Sequence, residues 1–369
     1  MTPELTAFFE LLRSGLWQRP ADGSLLRAPI DWNKVIAMAH HQTVVGVVAE
    51  AVAALPSELQ PSQEIMGRLH RDLSFNVRNH ARLNEVLAEV YTILQREGIN
   101  GVLLKGQGLV SNYPNPFMRQ CGDIDIYIPK DCQSRLDSVV LQLTGATRFH
   151  QSEKHFSFEY EGVNIELHYE TEHVYTPFND KRLQNWIVQQ LEHGDFRTME
   201  VCGVKVLLPP VEYDAIYILL HLWDHFISTG IGLRHVSDWA LYMHRFASQL
   251  DEEKLRQNLE AFGFAPVWNL FASLAVRCLN MSWTDFPHAQ EVPLSYTNKL
   301  LNIILMEGNF GRRKPRPKGY IIGKVNMYWR VTKMISDIVP FYPREVILYY
   351  FFFLKLGVKH FFLDWRHMR

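Results

Sequence analysis

A chain of 369 residues with 47% hydrophobic and 21% charged residues is ordinary for a globular protein and long enough for two or three domains. Its net charge of -1 excludes a protein that coats nucleic acid through overall charge, so any such contact needs a local patch. Four cysteines without a CxxC pair point to neither a disulfide framework nor a zinc ribbon, and no uninterrupted apolar run reaches the roughly 18 residues of a membrane span.

The N-terminus, MTPELTAFFELLRSGLW, places Glu4 and Glu10 where a signal peptide would have a basic start and an apolar core, so a cytoplasmic setting is expected. Residues 1–95 carry apolar side chains at three- and four-residue steps, as in LTAFFELLRSGL and ARLNEVLAEVYTILQREG, and form an expected N-terminal helical region. The period changes near residue 99. INGVLLKG is a short apolar run ending in Gly106, the shape of a buried strand leading into a turn and a helix. GDIDIYI, residues 122–128, alternates with period two, so Ile124, Ile126 and Ile128 share one face and Asp123, Asp125 and Tyr127 the other. A helical stretch DCQSRLDSVVLQLTGA follows. Then HFSFEYEGVNIELHYE reads as a hairpin, with Glu161-Gly162 as its tight connection. Residues 96–207 thus form an expected mixed strand-and-helix core, and residues 208–369 a C-terminal helical region.

Aspartate is depleted in strand interiors, and an ionised carboxylate buried without a partner is costly. Either the GDIDIYI acids face water or positive charge sits against them. Side chains two apart on a strand project from one face at about 7 Å, so Asp123 and Asp125 can share a divalent cation, or two cations about 3.5–4 Å apart. Glu166 is the natural third member. It lies opposite Val163, Ile165 and Leu167 on its strand, so pairing beside GDIDIYI with both apolar faces inward gathers all three acids. Such a cluster is repulsive without a metal, and carboxylate oxygens suit magnesium. Upstream, the Gly106 turn offers backbone N–H groups to an anion, and Lys105 and Arg119 add positive charge.

The order apolar strand, KG turn, helix, Arg119, Gly122-Asp123-Ile124-Asp125 and a hairpin carrying I-E-L-H resembles the nucleotidyltransferases of the DNA polymerase beta superfamily. Within it, the chain is most similar to a bacterial group of uncharacterised nucleotidyltransferases often encoded near surface-polysaccharide genes. The likeness is strongest over residues 98–170 and departs at Gln107, where the superfamily usually has Ser or Gly. It implies an α+β, polymerase-beta-like core flanked by helical regions. It also implies Mg2+, one ion or two with Mn2+ able to substitute, held by Asp123, Asp125 and Glu166. Lys105, Gly106, Gln107, Arg119 and Gly122 would steady the triphosphate of a nucleotide. The implied reaction moves a nucleoside monophosphate to a hydroxyl of a small molecule, a sugar or a protein. The alternatives are a toxin-type enzyme that modifies RNA or protein, and a non-catalytic nucleotide-binding or scaffold protein of a polysaccharide locus. Extended nucleic-acid binding is not expected.

His168 reads as a group behind the acids, a contact to the base, or a paired hairpin residue. His221 and His225, four apart on a helix, have zinc-compatible spacing but no obvious third ligand, so a structural or substrate-contacting role is expected. Arg234 and Asp238 have the spacing of a local helical ion pair, and the resemblance adds a substrate contact for them. RRKPRPK, residues 312–318, reads as a solvated loop or a phosphate contact, and YYFFF, residues 349–353, as a buried helix; together they leave weak peripheral membrane contact open.

Overall fold

A computed structural model describes residues 2–144, 150–151, 155–309 and 320–367. Four helices open the chain: α1 (Pro3–Trp17), α2 (Trp32–His41), α3 (Val45–Ala53) and α4 (Gln63–Arg96). Thr2 caps α1 by accepting the Leu5 N–H, and Asp31 caps α2. Strand β1 (Val102–Leu103) leads through a 3-10 turn at Gly106–Asn112 to β2 (Asp123–Tyr127). Then come α5 (Leu136–Thr144), β3 (His150–Gln151), β4 (His155–Tyr160), β5 (Val163–His168) and α6 (Pro177–His193). A second hairpin, β6 (Arg197–Val201) with β7 (Val204–Leu208), precedes the C-terminal helices. These are α7 (Val211–Ser228), α8 (Leu233–Phe246), α9 (Glu252–Ala261), α10 (Ala265–Leu279), α11 (Leu294–Glu307), α12 (Tyr320–Ile338) and α13 (Pro343–His367). The architecture is mixed α+β. Among the described residues no helix is long and apolar enough to cross a membrane.

The sheet has seven strands in the order β3-β4-β5-β2-β1-β7-β6, with β2 parallel to β5 and β1 antiparallel to β2. At the β4–β5 hairpin, Glu161 and Gly162 have φ of 51° and 71°, the left-handed pair that matches the twist of two strands joined by a two-residue loop. Ile124, Ile126, Ile165 and Leu167 point into a core shared with α4 and α5. A second, larger core is built from α1 and α3 together with α7, α8 and α10, so buried side chains from both ends of the chain pack as one body. Trp17 donates to the Leu279 carbonyl at 2.6 Å and Gln42 to that of Ile304 at 3.2 Å, tying the two ends across more than 260 positions.

Three expectations change. The element after Gly106 is a seven-residue 3-10 turn rather than an α-helix, so no helix dipole stands behind the KG turn. The YYFFF stretch is only half covered: Tyr349 is buried, while Phe351 and Phe352 are exposed, because α13 lies on the surface with one stripe inward. The hairpin β6–β7 extends the sheet beyond the strands read from sequence. The run 312–318 lies outside the described residues.

Candidate active site

Helix α4 sets the segment that feeds β2. Asn76, His80 and Asn79 donate to the carbonyls of Met118, Arg119 and Cys121 at 3.5, 2.6 and 2.9 Å. Strand β2 then runs parallel to β5 in a register that sets Asp125 beside Glu166 and Asp123 beside Asn164. The isoleucines take the core, so the acids share the opposite face. Asp123 is exposed at the mouth of a cavity of about 230 Å³, and Asp125 is 2% exposed at its floor.

Positive charge does sit against the buried acid. Lys105 Nζ is 3.3 Å from Asp125 Oδ1, and His168 Nε2 donates to the same oxygen at 2.9 Å and lies 3.3 Å from Glu166 Oε2. Burial works against ionising Asp125, but Lys105 and His168 outweigh it and hold the carboxyl well below the usual carboxylate range. Asp123 moves the other way: the charge of Asp125 pushes its carboxyl up. Glu166 is lowered, first by its hydrogen bond with His168. For Lys105 burial favours the neutral amine, yet Asp125, Glu172 and the other acids raise its pKa. His168 is raised as well, because its bonds to Asp125 and Glu166 outweigh burial.

The Gly106 turn lies against β2. With φ at 49°, a Cβ there would be strained and would stand 3.5 Å from the Asp123 carbonyl oxygen. Gln107 turns away from the cavity and donates to Asn84 of α4 at 2.6 Å. Gly122 is exposed, and a Cβ on it would meet nothing within 4 Å. Arg119 is buried, and its guanidinium makes two 2.8 Å bonds to Asp238, which also accepts from the Tyr113 hydroxyl at 2.7 Å. Arg119 therefore reaches the cavity wall with its charge already matched. The expected pairing of Arg234 with Asp238 along α8 does not form, because Asp238 takes Arg119 instead. Arg234 donates to the Gln120 carbonyl at 2.8 Å, and its Nε is buried without a hydrogen-bond partner.

The far wall is histidine-rich. His221 donates to Glu172 at 2.8 Å, and its ring meets that of His225 at 4.4 Å. Burial lowers the pKa of His221 and His235 and brings His225 down to about 3. Three participants were not read from sequence. His155 pairs with His168 across β4–β5, and its polar-face position at the head of an alternating strand was the available signal. Glu172 and His235 carried none, since a loop and a helix face meet the cavity only through tertiary packing.

The donor set fits a divalent cation. Asp123, Asp125 and Glu166 offer oxygens, and one ligand atom each from His155, Glu166 and His168 lie within 4.8 Å of one another. The mutual repulsion of Asp123 and Asp125 is relieved by added positive charge.

A family model described as an uncharacterised nucleotidyltransferase matches residues 28–280. Among solved structures, an antigenic nucleotidyltransferase-like protein from Paracoccidioides brasiliensis aligns at 14% identity with a TM-score of 0.35, covering 56% of this chain and 94% of that one. No curated protein matches. The family match spans well over half of the sequence, from before α2 to the end of α10, and contains the three acids, the KG turn and the histidine-rich wall. The chain belongs to the uncharacterised nucleotidyltransferase family.

Proposed function

We propose that the protein moves a nucleoside monophosphate from a nucleoside triphosphate to a hydroxyl acceptor, with Mg2+ as cofactor. The observation that carries this reading is the β2–β5 register, which sets Asp125 beside Glu166 with Lys105 against them. Asp123, Asp125 and Glu166 would hold the cation, with Mn2+ an acceptable substitute. The bound cation would neutralise phosphate charge and favour loss of the acceptor's proton.

Lys105 and Arg234 place two cationic side chains on one cavity, where they would meet phosphate oxygens. Glu166, held ionised by His168, orients the acceptor hydroxyl. The acceptor oxygen attacks the α-phosphorus, the bond to the bridging oxygen breaks, and pyrophosphate leaves. The chain contributes positioning and charge complementarity.

The test is transfer of label from α-³²P nucleotides into extract or a hydroxyl-bearing acceptor, with wild type against Asp123→Asn. Magnesium-dependent labelling by wild type alone is expected. Equal labelling by both proteins, or no magnesium-dependent triphosphate binding by calorimetry, overturns the reading.

A further inference from the structure

We propose that the outward face of the α12–α13 pair is a docking surface for an anionic lipid bilayer. Both helices already have a satisfied inner face. Val331, Ile335 and Ile338 of α12, and Val346 and Tyr349 of α13, are buried in the large core. The fully buried Glu345 accepts from the Thr176 hydroxyl at 3.0 Å and fixes the start of α13. The outside carries large apolar side chains beside its polar ones. Trp329 is 72% exposed, Phe351 63%, Phe352 45% and Ile347 42%.

Trp329, Ile347 and Phe351 fall on one outward side of the pair, while the Phe352 ring lies 5.4 Å from that of Tyr175. Ile347, Phe351 and Lys355 recur every four residues on α13 and so share a stripe. A 2.8 Å bond between the Thr332 and Tyr350 hydroxyls and the contact of the Tyr328 and Phe353 rings align the two helices. Trp329, one turn before Thr332, therefore lies level with the Phe351–Phe353 turn. A bulky exposed apolar patch of this kind marks an interaction site.

Charge identifies the occupant. Residues 320–367 hold seven Lys and Arg against three Asp and Glu, one of which is the buried Glu345. Residues 2–309 hold 25 against 36. Lys333, Arg344 and Lys355 are exposed on these two helices. Aromatic and branched apolar side chains rimmed by lysine and arginine match the headgroup boundary of an anionic bilayer, where rings enter the acyl edge and cations meet phosphates. The acidic remainder of the molecule is repelled by the same surface, which leaves this face as the one presented. The inference is independent of the transfer reaction, and its test reads binding alone.

The full chain is floated with vesicles of phosphatidylcholine and with vesicles that also contain phosphatidylglycerol. Wild type is expected to float with the second only, and less so in high salt. Trp329→Ser/Phe351→Ser should lower the floated fraction about tenfold with an unchanged melting temperature, since neither side chain is packed. Lys333→Glu/Lys355→Glu should do the same while leaving the apolar patch intact. Failure of wild type to float, flotation of either variant equal to that of wild type, or tighter binding of single-stranded RNA with the same sensitivity to the variants would overturn the proposal.

Discussion

Asp123 and Asp125 are two residues apart on one strand, yet the site treats them in opposite ways. Asp125 is matched by Lys105 and His168, whereas Asp123 bears the repulsion of its neighbour. Asp123→Asn is therefore expected to leave the metal-free protein as stable as wild type or slightly more so. The same change should lower nucleotidyl transfer by roughly a thousandfold, as loss of a preorganised electrostatic group does. Thermal melting beside the labelling assay checks both halves, and a destabilised Asp123→Asn would contradict the assigned repulsion. The two arginines separate along another axis. Arg119→Met strands the buried Asp238 carboxylate and should cost about 3–5 kcal/mol in urea unfolding. Arg234→Gln removes an unpartnered Nε together with the 2.8 Å bond to the Gln120 carbonyl, so it should weaken triphosphate binding by calorimetry while costing only about 1 kcal/mol in urea unfolding. The D-x-D pair and Glu166 were legible because strand alternation fixes side-chain direction. The partner of Arg119 was not, since it comes from α8, more than a hundred positions away.

Among the elements, the β4–β5 hairpin has the most direct hold on the site, because a slip of one residue would turn Glu166 into the core and Ile165 outward. Its two-residue turn fixes that register, and Gly162 has a φ of 71° that a branched side chain tolerates poorly. Gly162→Val is expected to cost about 1–2 kcal/mol in denaturant unfolding. It should also lower nucleotidyl transfer at temperatures where the fold persists; full activity at reduced stability would show that the register has another anchor. This hairpin was readable from HFSFEYEGVNIELHYE, because alternation and a Glu-Gly connection coincide. After Gly106 the strand-then-Gly pattern points to an α-helix, but the segment is a 3-10 turn, and seven residues with apolar side chains only at Leu109 and Val110 carry no period that separates the two forms. Gly108 lies so close to Leu103 and Leu208 that an added Cβ would sit 3.4 and 3.3 Å from them. The β6–β7 hairpin escaped notice because its turn is Cys202-Gly203, without the Asn or Asp that marks such connections.

Across the whole molecule, the larger core joins α1 and α3 to the helices that carry His221 and Arg234, so the N-terminal helices support the cavity from behind. Periodicity reported each helix but not this closure, which depends on contacts more than 260 positions apart. Glu10 of α1 tests the support. Burial alone would raise its carboxyl, but Arg19 bonds it at 2.7 and 2.9 Å and the Asp22 N–H at 2.7 Å, and together they hold its pKa below the ordinary 4.5. Above pH 4.5 both folded and unfolded chains are ionised, and the stabilisation is fully present. As pH falls below that value the unfolded chain takes up the proton first, so the contribution shrinks, and it is gone once the folded carboxyl is protonated too. Glu10→Gln should therefore cost about 1–2 kcal/mol at neutral pH, at the lower end for charge-assisted bonds because Arg19 partly faces water. The gap between wild type and Glu10→Gln in urea unfolding should narrow steadily from pH 5 downward. A gap of constant size would mean that Glu10 acts through packing, and the ionic tie at the back of the helical core would have to be abandoned.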